Sequence, residues 1–455
     1  MGENKVTENR PEEKQVTYRD ILRELEYRKL IFSSVINRFG DSVDAIALTW
    51  LVYQITHNAM WSAIVFGLNT LPNVVVQPFA GAIVERMNKK RVVVFTHFLR
   101  AVVISGFAAL YNFGIMNAGI MAVTTLIITT IESFNLPADS AFTVEVVRKE
   151  HMTAGMSMSK MLSGAATLVG TGFAGVLIAA AGIIPAMLID VATFVIAGCM
   201  TWSMKYHMDR PGAAADAEAF GSTVEEEIDS AVASPDSTDA QGFREMFLDG
   251  IRYVAQTPAI RNFCLLCVAL NFMLVPINAL QAPIAEEIFG MGSELLSVAG
   301  VFASVGGILG AALLPAFSRR FSTLQITCLC VGMLGACLAA ITLGRFLGGA
   351  AIPAYLLAGG MFLLLMISAS ILGGVLGIQF MKSVDGEYMA RASAVFNASA
   401  TASMPVGSFL VSLAVAQVST SGILLISAAL AGIVLLVTAL KRPELEKKEE
   451  LANAA

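Results

Sequence analysis

"GAIVERMNKKRVVV", residues 81–94, joins two long apolar runs. Gly81 ends the first run, Glu85, Arg86, Lys89, Lys90 and Arg91 follow within seven residues, and the second run opens at Val92. The chain has 455 residues, 56% of them hydrophobic and 14% charged, whereas a soluble domain averages about 25% charged. A dense charge cluster in such a chain marks the rim of a membrane. The runs on either side agree. "LIFSSVINRFGDSVDAIALTWLVYQI" (30–55) exceeds the roughly 20 helical residues that cross a hydrocarbon core about 30 Å thick. The chain reads as an all-α, polytopic membrane protein.

The pattern predicts twelve transmembrane helices: 30–54, 60–84, 92–113, 116–138, 155–180, 183–204, 261–286, 294–317, 324–345, 351–380, 392–416 and 420–440. They are numbered here as spans 1 to 12. They fall into two six-helix bundles, 30–204 and 261–440. A tail (1–29) precedes them, a tail (441–455) follows, and a linker (205–260) joins them. The linker's first part, "HMDRPGAAADAEAFGSTVEEEIDSAVASPDSTDAQG" (207–242), has too little apolar surface to fold and is expected to be disordered. In "FREMFLDGIRYV" (243–254), Phe243, Met246, Phe247 and Ile251 recur at helical spacing, which predicts an interfacial amphipathic helix. Residues 1–29 carry no cleavable signal sequence, so span 1 is expected to act as the insertion signal.

Lys and Arg set the orientation. The first tail and the loops after even-numbered spans hold the basic residues, from Arg28 and Lys29 through Arg319 and Arg320 to Lys441 and Arg442. The loops after odd-numbered spans hold only Arg345. Both termini and the linker are therefore expected on the cytoplasmic side of the cell membrane. The basic loop after span 2, "ERMNKKR" (85–91), has a faint counterpart after span 8, "SRRF" (318–321). Two repeated halves with a linker fit a transporter whose substrate site lies between the halves at mid-membrane.

The opening stretch resembles the loop 2–3 signature of the major facilitator superfamily, roughly Gly-x-x-x-Asp-Arg-x-Gly-Arg-Lys. Gly81, Arg86 and Lys90 match, Lys89 stands for Arg, Glu85 for Asp and Asn88 for Gly. "FNLPADSAFTVEVV" (134–147), "MLIDVATFVIAG" (187–198), "FREMFLDGIRYVAQTPAIRNF" (243–263) and "VDGEYMARASAVFNA" (384–398) are similar to segments of its drug:proton antiporter branch, with macrolide-efflux and siderophore-export proteins. "GTGFAG" (170–175) lacks the Gly-Pro pair of the antiporter signature. The resemblance implies the major facilitator fold, no enzymatic activity and a cytoplasmic latch at Gly81, Glu85, Arg86, Lys89 and Lys90 that stabilises the outward-facing state. Glu145 is an available partner for Lys89. Setting the topology is the competing role for the basic residues, but it leaves Glu85 unexplained.

A charge at mid-bilayer costs about 2.5–3.5 kcal/mol on insertion scales and so calls for a partner or a function. The candidates are Arg38, Asp41 and Asp44 in span 1, Arg100 in span 3, Glu132 in span 4 and Asp190 in span 6. The resemblance places spans 1, 4, 7 and 10 around the central cavity. Asp41, Asp44 and Glu132 are proton-coupling candidates; a permanently charged lure for cationic substrates is the alternative. Arg38 is expected in the cavity, within reach of Glu132 or Asp41. Arg100 and Asp190 are expected to form a structural ion pair, with His97 hydrogen-bonded beside it. In span 7, Asn271, Asn278 and Gln281 share a helix face and are candidate substrate contacts; interhelical hydrogen bonding is the alternative for the two asparagines. Met273, Met361 and Met366 lie on candidate cavity helices.

These readings predict a secondary active transporter. The leading function is proton-coupled efflux of amphipathic small molecules by alternating access, and a lipid or lysolipid flippase of the same fold is the alternative. A membrane enzyme or a channel fits less well. Small-molecule substrates, protons and the lipid bilayer are the expected partners, with no nucleic acid, no cofactor and no metal, and a functional monomer is expected. The six cysteines, "CLLC" (264–267) among them, lie in apolar runs and read as packing residues.

Overall fold

The computed structural model describes residues 24–147, 152–204, 251–384 and 388–440. The tail 1–23, the acidic linker with Phe243, Met246 and Phe247, and the tail 441–455 lie outside the described residues, as do Arg148, Lys149, Lys205, Arg210, Lys441 and Arg442. The described residues are nearly all helical and form no strand.

Ten helices are each long and apolar enough to cross a membrane. Span 2 adds a broken pair, Ala59–Val75 and Gln77–Glu85, bent by 44°. Pro78 explains the break, because its ring removes one backbone donor and collides with the preceding turn. Span 1, Leu25–Thr56, completes the pattern; Arg38, Asp41 and Asp44 in its middle make it the most charge-laden of the predicted spans. Twelve spans are consistent with this set.

Several boundaries differ from the sequence reading. Span 4 runs from Ala118 to Val146, well past residue 138, because Pro137 is accommodated inside the helix instead of ending it. Span 7 runs from Pro258 to Ala279 and continues through Gln281–Pro283 into a π-helical turn, Ile284–Ile288. Span 9, Thr323–Ile341, ends in a 3-10 turn, Thr342–Leu347. Residues 251–256 of the linker are helical, and Tyr253 stacks on Tyr388 at the start of span 11, with ring centroids 4.3 Å apart and planes 1° apart. Val254 joins the buried cluster of Ile260, Cys264, Phe380 and Val395. This end of the linker is thus docked on the second half.

Among the described residues, the two halves share one core at one end only. Spans 2 and 11 pack together there, as do spans 5 and 8. Ser408 donates to the Ala63 carbonyl, the Gly175 amide donates to Ser297 Oγ at 2.6 Å, and Ser293 donates to the Gly175 carbonyl at 3.5 Å. Tyr53 OH donates to Glu287 Oε1 at 2.8 Å, and Thr420 Oγ1 donates to Oε2 of the same carboxylate at 2.5 Å. At the end bearing the basic loops the buried clusters are separate. Tyr27, Val84, Val93, Phe142 and Met204 form one in the first half, and Ile260, Phe380 and Val395 belong to one in the second. Among the described residues, the molecule is closed at the Tyr53–Glu287 end and parted at the basic end.

Candidate functional site

Span 1 sets the site. Asn37, Asp41 and Asp44 recur at i, i+4 and i+7 and so share one face, with Arg38 beside them. This face borders a cavity of about 220 Å³ in the first half, whose wall includes Arg38, Asp41, His97, Arg100, Glu132, Asn135, Asp139 and Lys160.

Asp41 is the best-satisfied acid. Arg100 Nη2 donates to its Oδ1 at 2.9 Å, and Asn37 Nδ2 donates to its Oδ2 at 3.0 Å. A buried arginine needs such a partner, and the bond joins span 3 to span 1. The guanidinium also lies over the Phe194 ring of span 6, 4.1 Å from its centroid. Asp190, expected to pair with Arg100, is not its ion-pair partner in this conformation. It is 0% exposed, and neither of its oxygens has a hydrogen-bond partner. It sits against Gly40 of span 1, where a side-chain carbon would come within 2.8 Å of Oδ1 and would also strike Thr193. The carboxyl group therefore occupies room that only glycine leaves. His97 is buried against Phe194, at 6.0 Å between ring centroids, and its Nδ1 has no partner, contrary to the expected hydrogen bond.

Glu132 and Arg38 both line the cavity but form no ion pair among the described residues, so the Arg38–Glu132 and Arg38–Asp41 pairings are not made here. Asp44 lies outside the cavity wall, toward Asp190.

The second half offers a different surface. A smaller cavity of about 70 Å³ is lined by Asn278, Gln281, Phe289, Phe362 and Met366 with other apolar side chains. Asn278 Nδ2 donates to the Leu274 carbonyl at 3.0 Å, and Asn271 Nδ2 donates to the Cys267 carbonyl at 3.0 Å. Both amides thus bond to their own helix and not across helices. Asn271 does not line this cavity, and Met273 is buried in the shared core.

The basic loop divides in two. Lys89 Nζ pairs with Glu145 Oε1 at 3.4 Å. Lys90 Nζ donates to the carbonyls of Trp202 (2.8 Å) and Met204 (2.6 Å), and Lys29 Nζ donates to that of Ser203 (3.1 Å). Two lysines thus cap the C-terminus of span 6, where free carbonyls and the helix dipole attract cations. Glu85 and Arg86 are exposed and form no ion pair among the described residues. A side-chain carbon at Gly81 would meet nothing within 4 Å.

The model of the Major Facilitator Superfamily matches residues 30–404. The chain belongs to the major facilitator superfamily. Among relatives, it is 22% identical to the multidrug efflux pump Tap of Mycolicibacterium fortuitum over 302 residues, 64% of this chain and 67% of Tap. It is 21% identical to the MFS-type transporter YkuC of Bacillus subtilis (strain 168) over 189 residues, 41% of this chain and 43% of YkuC. Among solved structures, the nucleoside transporter NupG superposes with a TM-score of 0.70 at 11% identity, covering 92% of this chain and 99% of NupG. A bacterial homologue of the iron transporter ferroportin, in an inward-facing state, gives 0.64 at 13% identity, covering 92% of this chain and 99% of that one. These likenesses fix the superfamily fold and a transporter, not an enzyme.

Three ionisable residues are missing from the sequence reading, two at the cavity wall and one at the closed end. Asp139 was in the quoted 134–147 segment but beyond the expected end of span 4. Lys160 is a lone charge within span 5, a visible signal that was passed over. Glu287 lies one residue past the expected end of span 7, and no local pattern announces its partners, Tyr53 and Thr420.

Proposed function

We propose that this protein is a proton-coupled exporter of amphipathic small molecules that works by alternating access, with both termini in the cytoplasm. The observation that carries this reading is the excess of acids in and behind the cavity of the first half, in a molecule closed at the opposite end. Asp41, Glu132 and Asp139 line it, with Asp44 and Asp190 behind, against Arg38, Arg100 and Lys160. Acids outnumber bases in a place where unbalanced charge is costly. Protons, or the cationic group of a substrate, make up the difference. The apolar cavity at Phe362 and Met366 suits the hydrophobic part of the same molecule, since flexible thioethers and rings accept varied shapes. The basic residues put the parted end on the cytoplasmic side, so the conformation reads as inward-facing. The likeness to Tap favours export.

The latch fits this assignment. If Gly81, Glu85 and Arg86 hold the outward-facing state, they are idle when the cytoplasmic ends are apart, in keeping with their exposure and the empty space at Gly81.

The test is accumulation of a cationic dye in everted vesicles, with and without an imposed pH gradient. Wild type is expected to accumulate dye only with the gradient. Asp44→Asn is expected to lose gradient-driven accumulation while retaining downhill exchange. Gradient-driven uptake that survives in Asp44→Asn, in Asp41→Asn and in the double variant would remove span 1 from the proton path.

A further inference from the structure

Three buried polar groups meet where spans 1, 3 and 6 pack, and their bonding does not balance. Arg100 is 4% exposed and uses Nη2 on Asp41, yet its Nε has no acceptor. Asp190 is fully buried, yet neither oxygen has a donor. A guanidinium N–H and a carboxyl group are thus left unused in one interior, where each costs free energy. They are also close. The guanidinium rests on Phe194, four residues after Asp190 on the same face of span 6, so about one helical turn, or roughly 6 Å along the axis, separates its present seat from Asp190. Gly40, with no side chain of its own, lets the Asp190 carboxyl group and Thr193 press directly against span 1.

We infer that Arg100 exchanges counter-ions, Asp41 in this conformation and Asp190 when Asp41 is claimed by a cationic substrate, and that the exchange expels one proton. The inference rests on the proposed export of cations for its purpose, though not for the exchange itself. In the state seen here Arg100 neutralises the Asp41 carboxylate and Asp190 holds a proton. A substrate cation entering from the parted end binds Asp41, and Arg100 moves along the Phe194 ring to Asp190. The O–H bond of Asp190 breaks, its electron pair stays on the carboxylate, and the proton leaves past Asp44 to the cavity. One positive charge enters and one leaves, so the buried charge is constant. The reverse, with a proton arriving and the substrate departing, resets the site at the other face. The groups facing this exchange are Asp41 and Asp44 from span 1, Glu132 from span 4, His97 beside Arg100, and Thr193 beside Asp190.

The exchange is tested without transport, by thermal unfolding of purified variants. Asp190→Asn keeps Asp41 as partner and is expected to melt near wild type. Asp41→Asn leaves Asp190 available and is expected to lose only a few degrees. The double variant strands a buried guanidinium, so its loss should exceed the sum of the two. Asp41→Asn combined with Glu132→Gln, or with Asp44→Asn, retains Asp190 and should be no worse than additive. A single Asp41→Asn loss equal to that of the double, or the same synergy in either comparator, would overturn the exchange. The proton is tested with tetraphenylphosphonium as the probe. Loss of one proton per bound cation makes wild-type affinity rise up to tenfold per pH unit. Asp190→Asn should bind more weakly and lose that dependence, and an unchanged pH slope would refute Asp190 as the proton's source. Failure of wild type to bind the probe at all would count against cation export, and the melting cycle would still decide the exchange.

Discussion

Gly175→Ala tests whether the closed end is one side of a conformational balance. Gly175 lies where span 5 meets span 8. A side-chain carbon there would stand 2.6 Å from the Ser293 carbonyl oxygen and 2.7 Å from Ser297 Cβ, and would strike Ser297 Oγ as well. One of these neighbours is backbone, so no rotamer change clears the contact. The Gly175 amide bond to Ser297, 2.6 Å in this state, would be stretched by any retreat. Overpacking of this kind costs about 1–3 kcal/mol. The helix-propensity gain of alanine applies equally to both conformations and cancels. The closed end should therefore lose about 5- to 150-fold in population relative to the opposite conformation. Gly67, where spans 2 and 11 meet, is the control. A carbon there meets only side-chain carbons of Ser408 and Phe409 at 3.3–3.4 Å, which can give way. The assay is alkylation of an Ala299→Cys probe by a membrane-impermeant maleimide added outside intact cells, in a background without the six native cysteines. Ala299 is 7% exposed and lines the apolar cavity beside Ile284 and Phe289. Faster labelling is expected in Gly175→Ala and little change in Gly67→Ala. Equal labelling of wild type and Gly175→Ala would refute the idea that the span 5–span 8 contact governs the balance.

Glu85→Gln and Arg86→Ala should each leave abundance near normal and slow transport strongly if they form the proposed latch, because exposed charges with no ion pair among the described residues then contribute to the other state; normal rates in both would leave these residues no latch role. Tyr53→Phe removes a hydrogen bond to a carboxylate at the closed end, a loss of about 1.5–3 kcal/mol, and should speed Ala299→Cys labelling as Gly175→Ala does. Lys89→Ala breaks a part-exposed pair with Glu145 and should cost about 1 kcal/mol or less, so melting should hardly move, whereas Lys90→Ala uncaps span 6 and should lower the melting temperature more.

The architecture was legible because span length and the Lys/Arg asymmetry are one-dimensional signals. Helix existence follows from a run of apolar residues, and the fold was implied by the resemblance of "GAIVERMNKKRVVV" to the loop 2–3 signature. Helix ends were less legible. Span 4 was expected to end at residue 138, but neighbouring helices absorb a proline within a span, and the helix runs through Pro137 to Val146. That extension brings Asp139 to the cavity wall. Lys89–Glu145 was legible, since both ends of the pair sit at the same membrane face. The partner of Arg100 was not. Arg100 has acids on spans 1, 4 and 6 within electrostatic reach, and choosing among them depends on helix rotation, which the spacing of charges in separate helices does not encode. Asn271 and Asn278 illustrate the same limit, because their amides turn back to their own helix.

The division of labour between the halves follows from these particulars. Ionisable groups of the membrane interior concentrate in spans 1, 3, 4, 5 and 6, while the second half contributes amides, a methionine and aromatic rings to its cavity. A transporter that had to move its charged groups across the bilayer would meet the full insertion cost of each. Under the proposed alternating access, keeping the charges in one half, buried among their own counter-ions, leaves that cost unchanged as the other half moves. What must change between states is then confined to side-chain partners, such as the proposed exchange of Asp41 for Asp190 at Arg100, and to contacts at the two ends. The end contacts seen here are small: serines against backbone at Ala63 and Gly175, and one carboxylate shared by Tyr53 and Thr420. Each such bond contributes roughly 1 kcal/mol net, or up to about 3 where a charge takes part. A handful of them biases a conformational equilibrium without locking it, which is the scale on which one substrate or one proton can reverse the balance.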